Sequence, residues 1–508
     1  MRTLKSALIS VYHKEGLEPI ARRLHELDVV LYSTGGTEKF LRELGLPVVP
    51  VEDLTQYPAI FGGRVKTLHP KVFGGILQRS DNEHDQKEAD QHNIAPINLV
   101  IVDLYPFEET VAAGGSPEEI IEKIDIGGIA LIRAAAKNYK DTLVIPSRDQ
   151  YGALLELLNE KKGVTHETDR RQFATEAFLI SSHYDTEIFN YFNRETQLQT
   201  FQQSVPQGRA LRYGENPHQE AFFYGNLERL FDQLNGKELS YNNLVDIDAA
   251  LALNDDFSDD DRTAFAILKH TNACGFALGT TVLEAYQKAL AADPVSAFGG
   301  VLATNRTVDA EAAEELHKLF FEVLVAPDFT EEALAILQKK KKRVLLKRKA
   351  VLFANRQFKT LLNGVIEQDK DTYSVVPEEL QLVTQQKPSE QQIKDLLFAE
   401  RLAKHAKSNT IVLAKEGQLF ASGVGQTSRV DAMKQAVEKA RDFGFDLSEA
   451  VMASDAFFPF PDCVEIGFEA GIKAVIQPGG SIKDQDSIDF CDQNGIAMVF
   501  TGFRHFKH

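Results

Sequence analysis

The strongest constraint on the fold is an alternation of short buried strands and amphipathic helices over roughly the first 140 residues. Apolar runs of strand length occupy residues 7–11, 29–32 and 98–102. Apolar side chains recur at helical spacing over residues 17–27 and 38–44. This alternation predicts a parallel α/β sheet, whose ligand lies beyond the carboxyl ends of the strands. Ser10, Ser33 and Asp103 fall at such ends, so one pocket could gather them.

Two glycine-rich segments lie beside these predicted strand ends. Residues 33–37 join a strand to a helix, an arrangement that aims free backbone N–H groups at an anion. A plain turn with Thr37 as the helix N-cap explains the same residues equally well. Residues 61–75 are dense in glycine and cations without a period, which predicts a loop that faces solvent or surrounds a phosphate.

Two helix signals follow in the same half of the chain. Residues 116–119 form a capping box with proline at the first helical position, so a helix begins there. Another helix is predicted over residues 129–137, with Arg133 and Lys137 on one face. A long helix is predicted within residues 168–192.

Composition excludes several classes of protein. A chain of 508 residues is expected to form two to four domains. The net charge of −18 argues against bulk nucleic-acid binding and against an anionic membrane surface, so local cations must hold any anionic ligand. Neither a bilayer-spanning run nor a signal peptide is expected. Three widely spaced cysteines (Cys274, Cys463 and Cys491) argue against a disulfide framework or zinc ribbon and favour a reducing, cytoplasmic compartment.

In the second half, residues 264–268 predict a buried strand that ends at Lys269 and His270. This pair could perform acid/base chemistry, or could be a solvated lysine beside a satisfied histidine at the core border. Residues 408–413 and 423–429 repeat the plan of a strand and a glycine-rich turn, which suggests two similar α/β subdomains. The final residues, Arg-His-Phe-Lys-His, suggest a tail docked into a site.

Two other motifs are interpreted without a binding function. His218 and Glu220 match half of a zinc deaminase signature, but no Pro-Cys-x-x-Cys follows, which argues against zinc. The cations at residues 339–343 are interpreted as a solvated helix end rather than a binding patch.

The motifs of the first half resemble the IMP cyclohydrolase domain of the bifunctional AICAR transformylase/IMP cyclohydrolase family. They are residues 33–37, 63–70, 104–107, 125–128 and 133–138. The resemblance implies a methylglyoxal-synthase-like fold and ring closure of formyl-AICAR to IMP with loss of water. It implies that nucleotide is held by Ser10, Lys14, Ser33, Thr34, Gly35, Gly36, Arg64, Thr67 and Gly127. It places Lys66, Tyr105, Asp125 and Lys137 around the reacting atoms, with Lys137 expected to transfer the proton. Asp103 stands where many members have asparagine, and it is included among the substrate-binding residues.

The second half resembles the AICAR transformylase domain of the same family. The motifs are residues 211–219, 269–270, 293–299, 425–429 and 454–460. The resemblance implies two cytidine-deaminase-like α/β units without metal, and a homodimer with the transformylase site at its interface. It implies transfer of a formyl group from 10-formyltetrahydrofolate, a co-substrate, to AICAR, with His270 as proton acceptor and Lys269 as its electrostatic partner. Nucleotide contacts are implied for Arg212, Tyr213, Gly299, Glu322, Asn409, Phe457, Arg504 and Phe506. Folate contacts are implied for Arg429, Asp462 and Ser481.

The predicted organisation is a cyclohydrolase domain at residues 1–148, a helical connector at 149–205 and a transformylase domain at 206–508. The expected small-molecule partners are AICAR, formyl-AICAR, IMP and folate, with neither nucleic acid nor membrane nor catalytic metal. One alternative is a non-catalytic nucleotide sensor, which would need neither the amine groups near Asp125 nor the Lys269–His270 pair. A zinc deaminase is the second alternative.

Overall fold

The chain forms two compact units, Met1–Pro206 and Gln207–His508. The structure is a computed structural model that describes residues 1–351 and 353–508. Each unit is an α/β arrangement with its own buried core, which confirms the predicted fold class.

The first unit is built on a five-stranded parallel sheet in the order β4-β3-β2-β5-β6. Its strands are β2 (Ser6–Val11), β3 (Val30–Ser33), β4 (Val48–Pro50), β5 (Leu99–Asp103) and β6 (Leu143–Ile145); β1 (Arg2–Thr3) pairs with β7 (Val164–Thr165) in a separate ribbon. Its helices are α1 (Leu17–Glu26), α2 (Gly35–Glu43), α3 (Val51–Thr55), α4 (Pro70–Leu77), α5 (Glu83–Gln91), α6 (Phe107–Ala112), α7 (Pro117–Ile121), α8 (Gly127–Lys137), α9 (Tyr151–Lys161) and α10 (Glu167–Thr196). The core strands β2 and β5 are buried almost throughout, as their continuous apolar runs predicted.

The two glycine-rich segments differ from their predictions in detail. Helix α2 begins at Gly35, so its N-cap is Thr34, and the alternative with Thr37 as N-cap is wrong. The Thr37 hydroxyl instead bonds the backbone of Val11, which ties α2 to the central strand. The prediction of a loop over residues 61–75 is wrong from Pro70 onward, where α4 begins behind an N-cap at His69.

Glycine is needed inside α4 for close packing. A Cβ on Gly75 would lie 2.6 Å from the carbonyl oxygen of Ala95. In the sequence Gly75 therefore looked like a flexible loop residue, although it lets the helix pack closely against a neighbouring backbone.

Helix α10 confirms the long helix predicted within residues 168–192, and it packs along α8 inside the first unit. The Tyr184 hydroxyl donates to the carbonyl of Lys123 at 2.6 Å and accepts from the backbone N–H of Asp125 at 2.9 Å. Arg133 of α8 reaches the Ser181 hydroxyl at 3.4 Å. This helix therefore supports the segment that carries Asp125.

The second unit is built on a twelve-stranded sheet in the order β10-β15-β14-β13-β11-β12-β20-β19-β21-β22-β23-β18. In chain order, the first six strands of this sheet are β10 (Phe231–Asn235), β11 (Thr263–Lys269), β12 (Asn272–Gly279), β13 (Val301–Thr304), β14 (Val323–Ala326) and β15 (Val344–Arg348). The next strand of the sheet is β18 (Gln381–Leu382). The others are β19 (Ile411–Lys415), β20 (Gln418–Gly423), β21 (Val451–Ser454), β22 (Ala474–Gln477) and β23 (Ala497–Phe500). Two small ribbons complete the strands: β8 (Gly208–Ala210) with β9 (Phe222–Tyr224), and β16 (Arg356–Leu361) with β17 (Gly364–Asp369). The helices are α11 (Tyr241–Asp255), α12 (Val282–Ala292), α13 (Ala310–Lys318), α14 (Glu331–Leu337), α15 (Glu390–His405), α16 (Arg429–Asp442), α17 (Asp462–Ala470) and α18 (Asp484–Asn494).

The element order of this sheet repeats itself. The first repeat runs β10-α11-β11-β12-α12-β13-α13-β14-α14-β15, and the second runs β18-α15-β19-β20-α16-β21-α17-β22-α18-β23. In each repeat an antiparallel hairpin is followed by three parallel strands. The two similar α/β subdomains predicted from the sequence are therefore present.

The repeats join through antiparallel pairing of β12 with β20, so their strands run in opposite directions. Consequently the β11–β12 turn lies at the same end of the sheet as the carboxyl ends of β20 and β21. We call this border, which contains residues 269–272, the 270 end of the sheet. The opposite border, which contains the β19–β20 turn at residues 416–417, is called the 416 end.

Candidate active sites

The first candidate site lies at the carboxyl ends of three adjacent strands, β3, β2 and β5. Ser33 pairs in register with Ile9, and Asp103 pairs with Val11. The strand ends that carry Ser10, Ser33 and Asp103 are therefore neighbours, as the alternation of elements predicted.

Two helix N-termini border this pocket, because both α2 and α8 begin at this end of the sheet. A Cβ on Gly35, the first residue of α2, would lie 3.7 Å from Nζ of Lys66. A Cβ on Gly127, the first residue of α8, would lie 3.0 Å from Oγ1 of Thr67. Residues 61–69 thus bring a cation to the N-terminus of α2 and a hydroxyl to that of α8, which is an arrangement suited to a phosphate.

Asp125 lies directly before α8 and is held by backbone donors. The N–H of Gly128 donates to Oδ1 at 2.6 Å, and the Tyr105 N–H also donates to the carboxylate. Burial raises the pKa of Asp125, while these N–H groups and the nearby charge of Lys66 oppose the shift. Burial and the Asp125 charge also raise the pKa of the Tyr105 phenol. Lys66, Tyr105 and Asp125 therefore interact electrostatically within one pocket.

Several predicted binding groups already have partners within the protein. The Ser33 hydroxyl donates to the Ile9 carbonyl at 2.8 Å, and the Thr34 hydroxyl donates to Glu52 at 3.2 Å. Arg64 forms an ion pair with Glu122, and Lys14 donates to the carbonyls of Val11 and Tyr12.

Asp103 has a partner that the sequence did not indicate. Its Oδ2 accepts the backbone N–H of His13 at 2.8 Å and lies 2.8 Å from Nδ1 of the same residue. Both side chains are largely buried. Asp103 therefore fixes the loop between β2 and α1.

The structure does not bring Lys137 to Asp125 within one copy of the chain. Asp125 precedes the first turn of α8 and Lys137 is its last residue, so they are separated by ~15 Å along the helix axis. Arg133, on the same face as Lys137, contacts Ser181 and Phe178 of α10. Lys137 is exposed at the end of the helix away from the pocket.

The second candidate site lies along the 270 end of the large sheet. Lys269 closes β11, and its Nζ donates to the Phe298 carbonyl at 2.6 Å. The exposed His270 begins the turn into β12. Its ring has no hydrogen-bond partner among residues 1–351 and 353–508, so both nitrogens are free to handle a proton.

Gly299 and Glu322 lie at the same end of the sheet as Lys269. A Cβ on Gly299 would lie 3.3 Å from Nζ of Lys269, and Gly299 has a φ of 73°, which favours glycine. Glu322 donates its N–H to the Gly300 carbonyl at 3.0 Å and pairs with Lys237 at 2.5 Å. Gly299 is therefore brought to the lysine, whereas Glu322 lies at the same end of the sheet and pairs with Lys237.

The second repeat contributes a buried polar network to the same end. Arg429 donates to Asn409 and to Asp455 at 2.8 Å each, and to the Phe457 carbonyl at 3.3 Å. The Asn409 amide donates to the carbonyl of Gln426. Arg429 and Asn409, predicted to contact folate and nucleotide, therefore stabilise the loops around Phe457, whose ring is partly exposed.

The C-terminal tail is docked at this end, as its composition suggested. His505 is buried, with Nδ1 2.6 Å from Asp371 and Nε2 2.9 Å from Glu400. Burial lowers the pKa of His505, but the two carboxylates outweigh burial and raise the pKa to about 9. The neighbouring Arg504 stacks on Phe506 at 4.3 Å, and both remain exposed.

The remaining predicted residues have fewer contacts with the rest of the site. Asp462 begins α17 and Ser481 lies in the loop after β22, both at the 270 end. Arg212 lies over the ring of Tyr213 at 5.6 Å beside the β8–β9 ribbon, and no contact joins this pair to Lys269 in the described part of one copy.

Sequence reasoning missed two carboxylates that support the site. Asp246 of α11 accepts the N–H of Thr271 at 2.7 Å, and Asp293 accepts the N–H of Ser296 at 2.7 Å while pairing with Lys439. Asp293 thereby fixes the turn that presents the Phe298 carbonyl to Lys269. Asp293 lies at the end of a helix and before a proline, and this position could have indicated its role. Asp246 lies in the middle of a helix, where the sequence gives no such indication.

Among the residues that the structure describes, no group of three or more His, Cys, Asp or Glu side chains is arranged to hold a metal ion. No helix in the described part of the chain is long and apolar enough to cross a membrane.

Comparison with known proteins matches two families. The AICARFT/IMPCHase bienzyme family matches residues 135–439, and the MGS-like domain matches residues 16–130. A Bacteroides thetaiotaomicron protein named "Bifunctional purine biosynthesis protein PurH" is 58% identical over 507 residues, with 100% of this chain and 99% of the relative covered. Relatives with the same name from Aquifex aeolicus and Caldicellulosiruptor saccharolyticus are 48% and 45% identical, with 99% of this chain and 100% of each relative covered.

Proposed function

The chain belongs to the AICARFT/IMPCHase bienzyme family, and from this membership we propose that each of its two units carries one of the family's two reactions. It is a bifunctional enzyme of purine biosynthesis, an AICAR transformylase and IMP cyclohydrolase. We assign ring closure to the first unit and formyl transfer to the second. The formyl donor is of the folate type, and we identify it as 10-formyltetrahydrofolate.

Formyl transfer is assigned to the 270 end of the sheet. The amine of AICAR is a poor nucleophile because its ring and carboxamide withdraw the lone pair, so its proton must be removed during attack. His270 accepts that proton on its unpartnered imidazole, and Lys269 stabilises the negative charge that develops on the formyl oxygen. The observation that carries this assignment is the position of Lys269, fixed by the Phe298 carbonyl beside Gly299 and next to a free imidazole.

Ring closure is assigned to the pocket between α2 and α8. The carboxamide nitrogen of formyl-AICAR attacks its own formyl carbon, so positioning supplies most of the catalysis. The helix N-termini and Thr67 hold the phosphate and ribose, while Asp125 orients the carboxamide. The placement of Lys66 beside both Gly35 and Asp125 supports it as the proton-transfer group of a single copy.

The two reactions are expected to separate by mutation. His270→Ala should lower formyl transfer by at least ~100-fold and leave cyclisation of formyl-AICAR unchanged, because it removes only the base of the second unit. Lys66→Met should have the reverse effect. Formyl transfer is measured spectroscopically as tetrahydrofolate formed from AICAR with 10-formyltetrahydrofolate, and cyclisation is measured separately as IMP formed from formyl-AICAR.

Lys137→Met decides the role of the second lysine. If Lys137 transfers the proton, as the family resemblance implied, it must act from another copy of the chain, and its loss will stop cyclisation. Normal cyclisation by the Lys137 variant together with loss in the Lys66 variant would establish Lys66. Normal transfer by the His270 variant would refute the assignment of formyl transfer to the 270 end.

We further infer that two copies associate and complete each transformylase site. Exposed aromatic rings at the 270 end support this inference, with Phe298 61%, Phe320 43% and Phe457 38% exposed. The predicted nucleotide contacts Arg212 and Tyr213 would then come from the second copy. We place the enzyme in the cytoplasm, which its three free, buried cysteines support.

Mixing two inactive variants tests the shared site. Arg212→Ala and His270→Ala homodimers should each lack transfer, whereas a co-expressed mixture should regain about a quarter of wild-type activity, since one of the two sites in a mixed dimer is intact and mixed dimers form about half of the population. Sedimentation should give twice the chain mass. Failure of the mixed population to recover activity, with dimers present, would place each site within one copy.

A further inference from the structure

The turn that presents His270 has an unfavourable backbone conformation. His270 and Thr271 are its two central residues, with φ values of 50° and 65°. A two-residue hairpin turn with both central φ values positive strongly prefers Asn-Gly, Asp-Gly or Gly-Gly. A β-branched residue such as Thr271 is rare in this region and is strained there. Something in the protein must therefore hold this turn in place.

The second repeat contains the same type of turn, but its second central residue is a glycine, which is not strained there. Glu416 and Gly417 join β19 to β20, with φ values of 51° and 67°. The preceding lysines also match, since Lys415 donates to the Ser448 carbonyl at 3.1 Å as Lys269 donates to that of Phe298. The fold thus accepts glycine where the first repeat has threonine.

A carboxylate clamps each turn from the helix packed beneath it. Oδ1 of Asp246, on α11, accepts the N–H of Thr271 at 2.7 Å, and the carboxylate also accepts the backbone N–H of His270. Oδ1 of Asp395, on α15, accepts the N–H of Gly417 at 2.9 Å. Asp246 therefore binds both N–H groups of the strained turn, whereas its counterpart binds a turn that glycine already favours.

The carbonyl side of the His270 turn is fixed as well. The Thr271 hydroxyl donates to the His270 carbonyl at 2.6 Å, and the Asn272 amide donates to it at 2.9 Å. Helix α11 is itself held in register by a capping box between Ser240 and Asn243. The backbone of His270 is thus bound on both sides while its imidazole is left free.

We propose that Asp246 is a positioning residue for formyl transfer, which holds the strained His270–Thr271 turn closed and so aims the His270 imidazole away from the sheet. This inference rests on the proposed role of His270 as proton acceptor. In this role Asp246 acts through its hydrogen bonds to the backbone of the turn rather than on the substrate. Its contribution is geometric, because a displacement of ~1 Å in a catalytic group can lower a rate by about 10²-fold.

Removal of the clamp should slow transfer selectively. Asp246→Ala is expected to lower kcat for formyl transfer by about 100-fold, with KM for AICAR changed less than about threefold and cyclisation unchanged. Asp395→Ala is the matched control, since it removes the same contact from the second turn, and transfer should stay within about twofold of wild type. Asp246→Asn keeps an acceptor for the Thr271 N–H and should retain at least a tenth of the activity.

A double-mutant cycle distinguishes positioning from direct chemistry. In a Thr271→Gly background the turn adopts its conformation without the hydrogen bonds to Asp246. There, Asp246→Ala should lower kcat by less than about tenfold. An equal loss in both backgrounds, or loss in Asp246→Asn as deep as in Asp246→Ala, would overturn the positioning role. So would a wild-type rate in Asp246→Ala.

His270→Ala, assayed beside these variants, separates the inference from its premise. An inactive His270 variant with a fully active Asp246 variant overturns only the clamp. A His270 variant with the wild-type transfer rate overturns the role of His270, and the positioning role of Asp246 with it.

Discussion

At the scale of single residues, the buried charged side chains at the 270 end mainly hold loops of the protein in place rather than face solvent. Arg429 and Asp455 are paired and almost inaccessible, and His505 is buried between two carboxylates. Pairing of this kind compensates for the loss of hydration, whereas removing one partner leaves an uncompensated charge. The docked tail therefore depends on the protonation state of His505.

The stability of the second unit should reflect that dependence. The folded pKa of His505 is about 9 and its unfolded value is about 6.5, so its contribution is complete below pH ~6.5 and is lost as the pH rises through ~9. Between pH 6 and 9.5 the unfolding free energy of the wild type should fall by ~2–3 kcal/mol more than that of His505→Leu/Glu400→Leu, which removes both buried charges. Urea unfolding at several pH values measures the difference.

His508→Leu is the control for this pH series, because His508 is exposed and lies near Phe506 rather than a carboxylate. It should keep the wild-type pH dependence. Parallel curves for the wild type and the double variant would show that His505 is not held protonated.

At the scale of helices and strands, periodicity predicted the elements well because their cores are strictly apolar. Residues 264–268 became β11, residues 17–27 became α1, and the capping box at Ser116 starts α7. Helix α4 was missed because its glycines are required by close packing, which leaves no mark on hydrophobic spacing. The placement of Lys137 at the reacting atoms stays a prediction, because a motif identifies the residue without showing which copy of the chain it serves.

Close packing of helices onto the large sheet should make one strand glycine irreplaceable. A Cβ on Gly423 of β20 would lie 1.9 Å from the Ala432 carbonyl of α16. Gly423→Ala should therefore lower the unfolding free energy of the second unit by at least ~3 kcal/mol, measured by urea denaturation.

Gly364 supplies the matched comparison for Gly423. It begins the exposed strand β17, and a Cβ there would meet nothing within 4 Å. Gly364→Ala should change stability by less than ~0.5 kcal/mol. Equal effects of the two substitutions would mean that α16 can move away from the sheet.

At the scale of the whole molecule, the chain divides into two units, with residues 197–203 exposed between the end of α10 and the start of β8. Loops are interrupted more readily than elements because few contacts cross them. The sequence predicted a helical connector at residues 149–205 between two domains, and this division stays a prediction. The sequence could not show that loops from both repeats would lie at one end of the large sheet, since this follows from the antiparallel pairing of β12 with β20.

The two activities should survive a break between the units. A protease recognition site inserted between Gln202 and Gln203 should be cut quickly, and the cut protein should keep both activities within about twofold. Fragment sizes and both rates are measured before and after cleavage, with the uncut insertion variant as control. Loss of either activity on cutting would show that the covalent connection is required for it.

The duplicated turn at the 416 end also has a practical consequence. Glu416 and Gly417 have the backbone shape of the His270 turn, but they lie at the opposite border of the sheet from the assigned chemistry. A reporter group attached at Glu416 would therefore sit on a rigid hairpin inside the second unit, away from the proposed site of formyl transfer. The second repeat thus provides a labelling position from which the folding and assembly of working enzyme can be followed.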